Sequence, residues 1–64
     1  MNAINQFLED NTRRLLEITP TSWIKRVYTE NGILFECEEA KKGKETTLNT
    51  YSKKSDVLEW YKSL

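Results

Sequence analysis

The first part of the chain carries a helical pattern of apolar positions. At 100° per residue, five apolar side chains fall within about a third of a turn of one another: Ile4, Phe7, Leu8, Leu15 and Ile18. Asn2 can cap the start of a helix, and Pro20 disfavours its continuation. The pattern therefore predicts an amphipathic helix over residues 2–18, with Leu16 off its apolar stripe.

Residues 22–39 carry the pattern of a β-hairpin. WIKRVYTE is rich in aromatic and β-branched residues, and Asn31-Gly32 then precedes ILFECEE. Asn-Gly between two such runs is the strongest short-range hairpin signal and predicts a two-residue type I′ turn. That turn would place Tyr28 opposite Phe35.

The same register divides the hairpin into two faces. The face predicted to cover the core carries Ile24, Arg26, Tyr28, Ile33, Phe35 and Cys37. The outer face would pair Lys25 with Glu38 and Val27 with Glu36, so that opposite charges meet across the strands. Because the apolar side chains gather on one side, the pattern supports the hairpin.

A third strand and a second helix follow the polar loop KKGK at residues 41–44. ETTLNTY predicts a strand in which Leu48 lies opposite Cys37 on the core face, and Tyr51 lies with Leu34 on the outer face. The second helix is predicted from Ser52, capped by that residue or by Ser55. Its apolar stripe holds Val57, Leu58, Tyr61 and Leu64, with Trp60 at the margin.

These elements predict one small α+β domain over residues 1–64: a three-stranded antiparallel sheet with an N-terminal and a C-terminal helix. Because each helix has one apolar stripe and the sheet one apolar face, both helices should pack on the same face. A domain of this size buries only about 60% of its unfolded surface, so its stability is marginal. The chain has one cysteine and no histidine, so it cannot form an internal disulfide and offers a poor zinc site. Binding to a partner or self-association is then the remaining way to add stability.

Charge and hydropathy exclude some classes of protein. Ten basic and ten acidic residues give a net charge of zero, which argues against a protein that mainly coats nucleic acid. No apolar run approaches the roughly 20 residues that span a bilayer, and the N-terminus lacks the basic start and apolar stretch of a signal peptide. We therefore expect a cytoplasmic protein without membrane association.

Catalytic chemistry has few candidate residues. Cys37 is the only strong nucleophile, but the chain has no histidine to activate it and its predicted position is the core. Glu36 and Glu38 could suggest an acid–base pair, yet strand alternation places both on a solvated face near Lys25. The loop KKGK lacks the length and the following Ser or Thr of a Walker loop. We expect no enzyme, no metal and no cofactor.

Two stretches, SWIKRVYTENG and TYSKKSDVLEW, with a strand between them, resemble the small N-terminal domain of phage-type tyrosine recombinases. The resemblance implies a sheet that lies against DNA. That family's sheet is basic where it meets DNA, whereas Glu36, Glu38 and Glu39 occupy the middle strand here. The order helix, strands, helix also resembles double-stranded-RNA-binding domains, but their glycine-proline-histidine loop is absent.

The outer sheet face and its adjoining edge are the predicted partner-binding surface. Aromatic and aliphatic side chains beside charges are typical of interfaces. The predicted set is Trp23, Lys25, Val27, Leu34, Glu36, Glu38 and Tyr51. In an alternative arrangement, Trp23 folds over the sheet end and closes the core. The expected function is that of a small non-enzymatic regulator or inhibitor that binds a protein, with a second copy of the chain as one such partner.

The alternative function is a nucleic-acid-binding module that uses the lysine-rich loop between the second and third predicted strands. Glycine among lysines can contact phosphate. The residues for this alternative are Lys25, Arg26, Lys41, Lys42 and Lys44. The sequence leaves open which of the two surfaces binds a partner.

Overall fold

A computed structural model describes residues 3–41, 43 and 45–64. These residues form two helices and four strands: α1 (Ala3–Glu9), β1 (Leu15–Thr19), β2 (Ser22–Thr29), β3 (Gly32–Glu39), β4 (Thr47–Tyr51) and α2 (Lys54–Lys62). The strands make one antiparallel sheet in the order β1-β2-β3-β4. The predicted α+β class with a helix at each end is confirmed, but the predicted number of strands, three, is wrong. The predicted cap at Asn2 lies outside the described residues.

The additional strand, β1, begins at Leu15 and takes up the last residues of the predicted helix. Helix α1 ends at Glu9, and the Asp10 carboxylate then accepts hydrogen bonds from the main-chain N–H and the hydroxyl of Thr12, at 3.0 and 2.6 Å. Such Asx contacts offer the backbone an alternative to helix. In β1 Leu16 is buried and Leu15 is exposed, the reverse of the predicted helical stripe.

The β2–β3 hairpin forms with a different turn from the predicted one. Thr29 lies opposite Gly32, so the loop consists of Glu30 and Asn31. Gly32 has a φ of 125°, but Asn31 has no positive φ. The predicted type I′ turn is therefore wrong, because it requires positive φ at both central residues. The observed register of β2 and β3 therefore differs from the predicted one by two residues. Because side chains alternate with a period of two, this difference leaves every side chain on its predicted face.

Strand β4 lies one residue away from its predicted register, which exchanges its faces. Asn49, not Leu48, lies opposite Cys37, and Tyr51 lies opposite Phe35. Leu48 is consequently on the outer face and 54% exposed, whereas Tyr51 packs against the core. Both predicted placements are wrong, because the period of a strand is two residues and a slip of one inverts it.

One core cluster joins the inner sheet face to both helices. Its buried side chains are Ile4, Phe7, Leu8, Leu16, Ile24, Phe35, Cys37, Val57 and Trp60. Trp60 is therefore in the core rather than at its margin, and Leu64, predicted in the stripe, is 40% exposed. The N-cap of α2 is Lys53, without a side-chain hydrogen bond, so the predicted serine caps are wrong.

Arg26 is buried in this core, with 3% of its surface exposed. Its guanidinium donates hydrogen bonds to four main-chain carbonyls, those of Phe7, Leu8, Asp10 and Arg13. The guanidinium carbon lies 4.7 Å from the Phe7 ring centroid and 5.4 Å from that of Phe35. Because the last carbonyls of a helix lack intrahelical partners and carry partial negative charge, Arg26 satisfies the end of α1 and fixes the α1–β1 loop.

Candidate binding surface on the outer sheet face

The outer face is the side of the sheet opposite the core, and its side chains form cross-strand rows. One row crosses all four strands through Glu17, Trp23, Glu38 and Leu48. Both helices contribute to the core cluster on the inner face. The outer face therefore carries mixed aromatic, aliphatic and charged side chains without a helix of the described chain packed on it.

Trp23 lies on an inner strand in this row, near the start of β2, and is half-buried. Its indole Nε1 donates a hydrogen bond of 2.9 Å to Oε2 of Glu38, the residue opposite it on β3. Trp23 is not among the side chains that form the core or pack against it. The arrangement in which Trp23 folds over the sheet end to close the core is thus wrong, and the hydrogen bond fixes the ring on the outer face.

A shallow open depression of about 300 Å³ lies beside the indole. Its lining comes from β1, β2 and β3: Leu15, Glu17, Trp23, Lys25 and Glu38. Sequence reasoning predicted the β2 and β3 members but missed Leu15 and Glu17, since it assigned β1 to a helix. Leu15, 49% exposed, adds an accessible apolar group to the wall of the depression.

The second row places Lys25 between Leu15 on β1 and Glu36 on β3. The predicted pairing of Lys25 with Glu38 is wrong, because the register differs by two residues. Lys25 and Glu36 are direct cross-strand neighbours of opposite charge, which stabilises a pair modestly. Glu17 and Glu38 remain on either side of Trp23, so the outer face of the described sheet has three carboxylates and one ammonium group.

Val27 and Leu34 form a third pair on this face, directly opposite each other. Both are half-buried. Val27 was predicted opposite Glu36, so its cross-strand partner is corrected while its face is confirmed. Tyr51 is the one member of the predicted surface that lies on the other side of the sheet, opposite Phe35.

The three described residues of the nucleic-acid alternative do not form one surface. Arg26 is buried and its guanidinium is bonded to carbonyls of the α1 region, so it cannot reach a phosphate. Lys25 lies on the outer face among carboxylates. Lys41 is exposed, with its Nζ 4.0 Å from a carboxylate oxygen of Glu39. Lys42 and Lys44 lie outside the described residues.

Cys37 is buried in the core, as predicted, with no exposed surface. Burial raises the pKa of its thiol from 9.0 to about 12, because the charged thiolate loses its hydration. At neutral pH the side chain is a protonated thiol. The described residues contain no group of three or more His, Cys, Asp or Glu side chains arranged to hold a metal ion.

Neither α1 nor α2 has the length and apolarity that a helix needs to cross a bilayer, and these are the helices of the described residues. Comparisons of the chain with protein-family models, curated proteins and solved structures give no significant match. The resemblances to recombinase and double-stranded-RNA-binding domains therefore gain no support. The carboxylates on the outer face also oppose the DNA contact that the recombinase resemblance implies.

Proposed function

We propose that this protein is a non-enzymatic binding module whose outer sheet face docks a protein partner. The supporting observation is the surface around Trp23, where a fixed indole lies beside an open depression. Leu15 and Leu48, on the two edge strands, are each about half exposed. Aromatic anchors flanked by accessible aliphatic groups carry much of the energy of protein interfaces.

Charge favours a protein over nucleic acid as the partner. Glu17, Glu36 and Glu38 share the outer face with Lys25, and carboxylates repel the phosphates that dominate nucleic-acid affinity. The buried position of Arg26 removes one cation from the alternative surface. A chain with a protonated, buried Cys37 also has little nucleophilic chemistry to offer, which supports binding rather than turnover.

Capture from native lysate tests the proposal. The test variant combines Trp23→Ala with Leu48→Ser, which removes the indole and the most exposed leucine of the outer face. The matched control is Leu64→Ser, an exposed apolar residue beyond the end of α2. Circular dichroism establishes that each variant is folded before its capture is compared with that of the parent.

The expected result is a nuclease-resistant protein partner that the parent and the Leu64→Ser control retain and the outer-face variant loses. Sedimentation of the purified parent identifies the case in which this partner is a second copy, because its mass would then rise with concentration. Retention of the partner by the folded outer-face variant would overturn the proposal. Loss of the partner after nuclease treatment of the parent would replace it with nucleic-acid binding.

A further inference from the structure

The chemistry around Trp23 also specifies what kind of partner group it would bind, a step that rests on the proposed function. Glu17 and Glu38 are the residues directly opposite Trp23 on the two neighbouring strands. Side chains in such positions have Cβ atoms about 4.5–5.5 Å apart. The indole is therefore flanked on both sides by carboxylates, and one of them is held in place by the Nε1 hydrogen bond.

The described arginines make their cation–π contacts with rings other than Trp23. Among the described residues, the cation–π contacts place Arg13 and Arg26 at the Phe7 ring, Arg26 at Phe35, and Arg14 at Tyr28, 5.2 Å from its centroid. No described cation makes such a contact with Trp23, although indole is the aromatic side chain that attracts cations most strongly. Of the two indoles, Trp60 is buried, so Trp23 is the one that a partner's cation can reach.

The local balance of charge agrees with that availability. Lys25 is the basic side chain of this face, and its direct cross-strand neighbour is Glu36. Glu17 is exposed, and Glu38 uses one carboxylate oxygen for the indole, which leaves its other oxygen as an acceptor. Among the described side chains of the outer face, Glu17 and Glu38 therefore contribute two negative charges that the Lys25–Glu36 pair does not offset.

We infer that the outer face docks a basic segment of its protein partner, with a lysine or arginine side chain seated against Trp23 between Glu17 and Glu38. The indole face attracts the cation, the two carboxylates accept its charged hydrogen bonds, and Leu15 and Leu48 contact the aliphatic part of the segment. Lys25, which lines the same depression, disfavours an incoming cation and sets the strength of binding.

Matched peptides test this preference without knowledge of the natural partner. One 12-residue peptide would alternate arginine with leucine, and the other glutamate with leucine, so that only the charge differs. Binding is followed by the indole N–H resonances of the two tryptophans, assigned with a Trp23→Phe variant. The arginine peptide should shift the Trp23 signal, with an affinity that falls as salt is added, and the glutamate peptide should not.

Substitutions of charged residues on the outer face test whether each charge strengthens or weakens binding of the arginine peptide. Glu17→Gln with Glu38→Gln should weaken binding of the arginine peptide about tenfold, the loss expected for two partly exposed charge pairs. Glutamine still accepts the indole hydrogen bond, so the ring keeps its position. Lys25→Gln should strengthen binding about twofold to threefold. Glu59→Gln, on the exposed side of α2, is the control and should change nothing.

Equal binding of both peptides, no shift of Trp23 by the arginine peptide, or equal affinity in the Glu17/Glu38 variant would each overturn the inference. The proposed function fails on a different result, namely partner capture that survives loss of Trp23 and Leu48. Capture that depends on Trp23 but not on Glu17 and Glu38 would retain the binding module and exclude the basic segment.

Discussion

Arg26 and Lys25 are adjacent cations of β2 with opposite environments. Arg26 points to the inner face, is 3% exposed and donates to main-chain carbonyls around the end of α1. Lys25 points to the outer face, is exposed and lies opposite Glu36. The first cation satisfies groups that folding itself buries, whereas the second belongs to a surface whose charges remain accessible.

This difference separates the structural role of the inner face from the binding role that we propose for the outer face. On the inner face, the two terminal nitrogens of the Arg26 guanidinium donate to main-chain carbonyls of the chain itself, and the apolar side chains form a continuous core. The outer face instead carries an indole, exposed leucines and unequal charges. Substitutions of neighbouring residues in the same strand should therefore have very different costs, which makes matched pairs the natural test.

The largest expected effect is at Phe35, which is 3% exposed. Phe35→Ala should lower the free energy of unfolding by roughly 3–5 kcal/mol, because it removes a buried ring and leaves a cavity. Its neighbour Leu34 is half-buried on the outer face, and Leu34→Ala should cost only about 1 kcal/mol. Urea unfolding measures both. Similar costs for the two variants would mean that the faces are not distinct.

Arg26→Met should cost about 3 kcal/mol, because the substitution removes a buried guanidinium that donates to four main-chain carbonyls around the end of α1. Lys25→Met, one residue earlier on the outer face, should change stability by no more than about 0.5 kcal/mol. Urea unfolding monitored by circular dichroism gives both values. An Arg26→Met protein as stable as the parent would show that the guanidinium does not support the α1–β1 loop.

The adjacent leucines of β1, which point to opposite faces of the sheet, test the strand that sequence reasoning missed. Leu16 is 7% exposed and Leu15 is 49% exposed. Leu16→Ala should cost about 2–3 kcal/mol, and Leu15→Ala no more than about 0.5 kcal/mol. A helix over residues 2–18 predicts the opposite order, since it places Leu15 in the apolar stripe. The measured order of the two thermal midpoints decides between strand and helix.

The smallest effect concerns pH and the Cys37 thiol. The pKa of Cys37 is raised to about 12 in the folded protein from a usual value of 9.0. Above pH 9 the unfolded chain therefore loses the thiol proton while the folded protein keeps it, and this stabilising contribution declines as pH rises towards 12. Between pH 8 and pH 10 the parent should lose about 1.4 kcal/mol more than a Cys37→Ala variant. If urea unfolding shows equal losses of stability for the parent and the Cys37→Ala variant, the thiol ionises equally in the folded and unfolded states.

The faces of the β2–β3 hairpin were predictable from the sequence because strand alternation survives a register change of two residues. Trp23, Lys25 and Glu38 were accordingly assigned to the correct face. The hairpin turn was not predictable from Asn-Gly alone, since Asn31 keeps a negative φ and only Gly32 takes the positive one. That difference alters which outer-face charges meet across the strands.

Strand β1 was missed because LLEIT fits both apolar periods, so the hydrophobic pattern alone could not distinguish helix from strand. Two signals favoured the strand: the polar run Asp10–Thr12, where the helix ends, and the turn-forming cluster TPTS before β2. The register of β4 lacked any comparable signal, because its connection to β3 is long and no two-residue turn fixes the pairing. Glu17 and Leu48 were lost from the predicted surface for these two reasons.

The most direct test of separate inner and outer faces compares the two tryptophans. Trp23 lies on the outer face beside carboxylates, and Trp60 is in the core, 7% exposed. Single-tryptophan variants, Trp60→Phe and Trp23→Phe, allow the fluorescence of each to be quenched separately by caesium and by iodide ions.

Iodide is the more efficient quencher of free indole, so quenching by each ion is expressed relative to that of a free tryptophan amide. On this scale we expect caesium to quench Trp23 more strongly than iodide does, because the cation is concentrated near Glu17 and Glu38. Neither ion should quench Trp60 appreciably. Equal protection of both tryptophans would contradict an accessible outer face, and stronger quenching of Trp23 by iodide on the same relative scale would contradict its acidic character.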